Sequence, residues 1–283
     1  MSIKKVEIAV ISDVHLGTYG SRAEEVLLYL NSIEPEILVI NGDLVDIWQF
    51  RKRYFPKAHL AVLQKIFQLA ATGKSVYFLP GNHDDLIRKF GDFSLGNLHI
   101  QNELTLEIGG KQVWFHHGDK YDLSVRHRGL AAFAGRLYEL YILMEKGLNW
   151  LLQPFRIHLQ SAKKLKAFSK RMSKTAIDFE AKAIDEAISR NFDIMICGHV
   201  HRPQKRRITN KNGQILYLNS GDWVENLSAL EYTDEKWKVV RFLKTAFQKE
   251  NQSQTASLSE RLRLSDEKMD IKAKKTSLLE KKY

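Results

Sequence analysis

The chain has 283 residues, 44% of them hydrophobic, and carries a formal charge of +11 from 44 Lys and Arg against 33 Asp and Glu. That length and apolar content predict a globular chain of one or two domains with a large core, not a disordered one. The one cysteine, Cys197, excludes an intramolecular disulfide and with it the small disulfide-stapled secreted class.

The first apolar run, Val6–Ile11, follows Lys4 and Lys5. It is short, contains Glu7 and ends at Ser12-Asp13, so it reads as a first strand and not as a signal peptide. No stretch approaches the roughly 18 uncharged apolar residues of a spanning helix. A soluble or peripherally attached cytoplasmic protein is expected. Further strands are predicted at Ile37–Asn41 and Val76–Leu79, with helices over Arg22–Ser32 and His59–Ala71 between them. This rhythm predicts an α/β domain. Leu104–Ile108, Gly109-Gly110 and Gln112–Phe115 read as a β-hairpin.

Residues 129–190 read as two long helices, separated at Gln153-Pro154. In the second, Leu165, Phe168, Met172, Ala176, Phe179, Ala183 and Ala187 recur at spacings of three and four. Strands resume at Asp193–Ile196, Gln214–Leu218, Ala229–Tyr232 and Trp237–Leu243. Residues 249–283 are polar and without a core-facing period, and are expected to form a flexible tail. The domain is thus drawn at 1–248, with a helical insertion at about 122–190.

The positive excess is local. Lys120–Thr175 holds 12 Lys and Arg against three acids, and Arg202–Lys211 holds five basic residues and no acid. Such patches suit an anionic partner: a phosphate-bearing substrate, an anionic membrane surface or nucleic acid. The helix lacks a series of exposed aromatics for stacking bases, which makes nucleic acid the weaker choice.

Five segments carry metal-ligand chemistry, and each directly follows a predicted strand. They are Asp13-Val14-His15, Gly42-Asp43-Leu44-Val45-Asp46, Gly81-Asn82-His83-Asp84, His116-His117-Gly118-Asp119 and Gly198-His199-Val200-His201. Ligands of α/β proteins bind beyond the carboxyl ends of strands, so these five edges should converge. Asp-x-His and His-x-His on an extended chain would point both side chains the same way. The glycines at 42, 81, 118 and 198 leave room for backbone close to an ion. The donors are carboxylate, carboxamide and imidazole, without thiolate. That set suits Mn²⁺ and also accepts Fe²⁺ or Zn²⁺. Seven ligands exceed one tetrahedral ion and fit two ions bridged by a carboxylate. Cys197, in an apolar run, reads as core.

These motifs, in this order, resemble the calcineurin-like metallophosphoesterases over about residues 6–243. The resemblance implies a four-layer αββα sandwich of two mixed β-sheets and a dinuclear centre. It implies that Asp13, His15, Asp43 and His201 hold one divalent ion. Asp43, Asn82, His117 and His199 would hold the other, with Asp43 bridging. His83 takes the position of a histidine that protonates the leaving oxygen or stabilises the transition state, with Asp46 orienting it. His116 should face away from the metals. A metal-bridging hydroxide is the implied nucleophile.

The insertion, the basic loop after Pro203 and the Tyr217–Trp223 segment are similar to the UDP-2,3-diacylglucosamine diphosphatase branch. Those enzymes act in lipid A synthesis at the inner face of the inner membrane, giving UMP and 2,3-diacylglucosamine 1-phosphate. That branch implies a lipid-linked substrate, with Leu137, Tyr141, Leu148, Trp150, Leu151, Leu152 and Phe155 lining the cap. It carries Asn-Arg-Asp where this chain has Asn82-His83-Asp84. The alternative is a phosphodiesterase or phosphatase for another nucleotide, nucleic-acid or phospholipid substrate. Oligomeric state is not encoded in these features.

Overall fold

A computed structural model describes residues 3–47, 54–121 and 180–242. Of the cap expected at about 122–190, residues 122–179 with the candidate acyl-lining residues lie outside the described residues, as does the 249–283 tail.

Two mixed sheets form the body. The larger is built from β1 (Lys4–Ile11), β2 (Ile33–Asn41), β3 (Ser75–Leu79), β4 (Phe93–Leu95), β5 (Leu98–Ile100), β11 (Ser228–Thr233) and β12 (Lys236–Arg241), in the order β12-β11-β1-β2-β3-β5-β4. Here β1, β2, β3 and β5 run parallel, while β4, β11 and β12 pair antiparallel. The smaller contains β6 (Leu104–Ile108), β7 (Lys111–Phe115), β8 (Ile194–Cys197), β9 (Gln204–Asn210) and β10 (Gly213–Asn219), in the order β6-β7-β8-β10-β9. Its centre, β7-β8-β10, is parallel.

The alternation of side chains along the central strands sorts the core into three layers. In β1, Ala9 and Ile11 face helices α1 (Ala23–Ser32) and α2 (Lys57–Ala71), meeting Val26, Leu30, Val62 and Ile66. Ile8 and Val10 face the other way, toward Val113, Phe115, Ile194 and Ile196 of the second sheet. Beyond that sheet, Trp114, Met195, Cys197 and Tyr217 pack on Ala183, Ile184 and Ala187 of the helical residues 180–189. The order is helix, sheet, sheet, helix, the expected four-layer sandwich. Both faces of the central strands are buried, which is why they read as continuous apolar runs.

One expectation is corrected. The basic stretch after Pro203, read as a loop, is mostly the strand β9, Gln204–Asn210. It pairs with β10 on one side only and its residues are largely exposed. Lysine and arginine are common on such edges, where charge discourages pairing with another chain.

Candidate metal centre

Five parallel strands end on one rim. Asp13 and His15 follow β1, Asp43 and Asp46 follow β2, Asn82 and His83 follow β3, His117 follows β7, and His199 and His201 follow β8. Three groups of donor atoms lie within 4.8 Å of one another: Asp13-His15-His201, Asp43-His117-His199 and His15-Asp43-His83. Asp43 Oδ2 lies 3.3 Å from His117 Nε2 and 3.9 Å from His15 Nε2, so one carboxylate faces both halves.

The backbone achieves this convergence differently from the extended pairs expected. The strands stop at Ile11 and Cys197, and Asp13, His15, Asp43, His199 and His201 adopt φ of 51–65°. Left-handed backbone is costly for non-glycine residues, and Asp and His tolerate it better than most. Neighbouring chains hold it: Asp13 N–H donates to Gly42 O at 3.0 Å, and Val14 and His15 N–H both donate to Asp43 O. Five such residues in one cluster mark a site where geometry has been kept at the expense of local strain. Two glycines are required by close approach. A Cβ on Gly42 would lie 2.0 Å from His117 Nδ1, and one on Gly81 would lie 2.2 Å from Asp43 Oδ1.

The donor atoms fit a cation. Asp13 Oδ1, His15 Nε2 and His117 Nε2 are buried and make no hydrogen bond, though each faces another ligand atom. Their partners are arranged for ligation instead. His117 Nδ1–H donates to Asn41 O at 2.8 Å, which leaves Nε2 as the ring atom aimed at Asp43. Burial alone would raise Asp43, but His117, His15 and His83 hold it well below the usual carboxylate range. Burial would lower His117 and His201, yet Asp43 pulls the first up to about 10 and Asp13 the second up to about 9. Carboxylates that cling to their charge beside imidazoles that seek a proton describe a cavity that demands positive charge.

His83 and Asp46 are in contact. His83 Nδ1 lies 2.9 Å from Asp46 Oδ2, and that same oxygen lies 3.4 Å from His15 Nδ1. Burial opposes the protonation of His83, and Asp46 and Asp43 override it, raising the pKa. The ring is 4.7 Å from that of His15. His116 faces the opposite side of the strand end, against Trp114 and 3.3 Å from the buried Cys197 Sγ. Cys197 is core, and burial pushes its thiol upward.

Sequence reasoning passed over the residues that act through backbone. Asp84 accepts N–H bonds from Gly81 and Leu44, clamping the loops after β3 and β2 together. Asn226 Nδ2 donates to His201 O at 2.9 Å, and Asp222 gathers the N–H groups of Val224 and Glu225. Arg88 forms a bidentate pair with Asp119 at 2.6 and 2.8 Å, tying the loop after β3 to the one after β7. Asp84 and Asp119 stand inside two of the chemistry-bearing segments and Asp222 inside Tyr217–Trp223, whereas Arg88 and Asn226 carried no signal.

The model of the calcineurin-like phosphoesterase family matches residues 6–203. The chain is similar to the UDP-2,3-diacylglucosamine hydrolase of Photorhabdus laumondii, at 27% identity over 240 residues, 82% of this chain and 97% of the relative. It is similar to the enzyme of the same name from Enterobacter sp., at 28% identity over the same shares. The one from Histophilus somni is 29% identical, over 78% of this chain and 94% of its own length. The family implies divalent metal ions, and the clustered donors fit them. With that match across most of its length, the chain belongs to the calcineurin-like phosphoesterases and is a phosphoester hydrolase.

Proposed function

We propose that the protein hydrolyses the pyrophosphate of UDP-2,3-diacylglucosamine, releasing UMP and 2,3-diacylglucosamine 1-phosphate. The observation that carries the substrate is the run of relatives of that name, aligned over nearly their whole length. The observation that favours the chemistry is the set of three adjoining donor groups, two of which contain Asp43 and two of which contain His15.

In this reading Asp13, His15, Asp43 and His201 hold one divalent cation, and Asp43, Asn82, His117 and His199 hold the second. A bound pair of ions, Mn²⁺ first among candidates, would acidify water and draw phosphoryl oxygens into place. The chain's own residues do the rest. Asp43 keeps the two halves at a fixed separation. His83, whose protonation Asp46 and Asp43 favour, donates toward the departing phosphate oxygen and offsets its charge. Asp46 orients the ring by its charge 2.9 Å from Nδ1, which leaves Nε2 to face the substrate. A diacylated substrate resides in a lipid leaflet, so this reading carries a peripheral position at the inner face of the inner membrane.

The test is UMP release from UDP-2,3-diacylglucosamine with Mn²⁺, beside bis-p-nitrophenyl phosphate and the Asp43→Ala variant. UMP release that vanishes in the variant supports the assignment. Cleavage of the small diester alone keeps the phosphoester chemistry and removes this substrate.

A further inference from the structure

The loop bearing Asp13 and His15 is held along one side by the loop after β2. Leu16 N–H donates to Leu44 O at 2.9 Å, and Asp46 N–H donates to Leu16 O at 2.9 Å. That ladder stops at Leu16. Thr18 turns back on the loop, its hydroxyl donating to His15 O at 2.9 Å. Between them Gly17, at φ 96°, gives its N–H to another element. Its acceptor is His59 Nδ1, at 2.9 Å, on the first turn of α2.

His59 has no place in the chemistry described so far. It is 3% exposed, and the rings of Tyr54 and Phe55 stand edge-on to it at 5.8 and 5.3 Å. A buried imidazole that accepts at Nδ1 must carry its proton on Nε2 and be neutral. Burial keeps it so, lowering its pKa. Neither phenylalanine nor leucine could accept this bond, and water has little access to replace it.

We propose that His59 is a positioning residue for the metal centre: its Nδ1 anchors the Gly17 N–H and so fixes where His15 is presented. The inference rests on reading His15 as a metal ligand. A partner bonded to a ligand's own side chain is worth about ten- to a hundredfold in metal affinity, and an anchor two residues from His15 is expected at the lower end.

Two substitutions separate this role from packing. His59→Phe keeps a ring between Tyr54 and Phe55 but removes the acceptor. His59→Asn gives up the ring and keeps an oxygen close to the Nδ1 position. Mn²⁺ binding is measured directly by equilibrium dialysis, with thermal melting of each protein alongside. The expected result is binding of the weaker-held ion about tenfold poorer in His59→Phe, and within about threefold of wild type in His59→Asn. Unchanged binding in His59→Phe overturns the inference. So does loss in His59→Asn with retention in His59→Phe, the pattern of a packing role. If His59→Phe does not fold, His59→Asn alone decides, since weak Mn²⁺ binding by a folded His59→Asn contradicts anchoring. A wild-type protein that binds no Mn²⁺ overturns the metal reading and this inference with it.

Discussion

The two sheets bring different chemistry to the same rim. The ends of β1, β2 and β3 supply every carboxylate and the one carboxamide: Asp13, Asp43, Asp46 and Asn82. The ends of β7 and β8 supply imidazoles only, His117, His199 and His201. The acid that follows β7, Asp119, is turned to Arg88. Neither sheet alone holds a complete set, so the centre exists only where the sheets are packed. Asn41 shows the same dependence: its Nδ2 crosses from β2 to the carbonyls of His116 and Ile196, at 3.1 and 3.3 Å. The site is thus a property of the sandwich and not of either half.

The sharpest way to break the comparison is at the residue both halves share. Asp43→Asn keeps the shape and an oxygen for the His83 N–H, but loses the charge facing His15 and His117. Turnover of bis-p-nitrophenyl phosphate should fall about a thousandfold or more. Activity within tenfold of wild type would mean that the halves do not share a carboxylate.

A smaller loss is expected from the pair beside the metals. His83→Gln should lower kcat about a hundredfold with KM little changed, since the ring acts on the leaving oxygen. Asp46→Asn should cost less and shift the pH profile, because it acts through the rings of His83 and His15. Equal losses in KM would instead make His83 a substrate-binding group.

Stability reads the contact between sheets. Asn41→Val leaves two buried carbonyls without their cross-sheet donor, and urea unfolding should show about 2 kcal/mol lost. The smallest effect is a pH slope. Burial, with Lys120 and His117 beside it, lowers His116 from 6.5 to about 3. Between those values the unfolded chain binds a proton that the folded one refuses, so stability falls as pH drops through that window. With chelator present, His116→Phe should lose up to one proton's worth of that slope, about 1.4 kcal/mol per pH unit. An identical slope in both proteins would show that His116 is not buried neutral.

Much of this was legible because burial on two faces leaves a plain record. Val6–Ile11, Ile37–Asn41 and Val76–Leu79 read as strands, and chemistry follows each at once. β9 was not legible, since Gln204–Asn210 lies at an edge, exposed and basic, with no apolar rhythm. The three-residue β4 and β5 are too short to show a period. At the site, ligand types were visible and ligand geometry was not. Nothing in the letters Asp13 or His201 announces a left-handed backbone, because only glycine advertises that freedom. His59 and Asn226 escaped for a related reason: they hold the site through backbone atoms, which every residue shares.

The central claim is that two ions sit between the sheets and share Asp43. Anomalous diffraction from crystals grown with Mn²⁺ tests it most directly. The account predicts two peaks, one among Asp13, His15 and His201 and one among Asn82, His117 and His199, each in contact with Asp43. A single peak, or two that do not both touch Asp43, would contradict it.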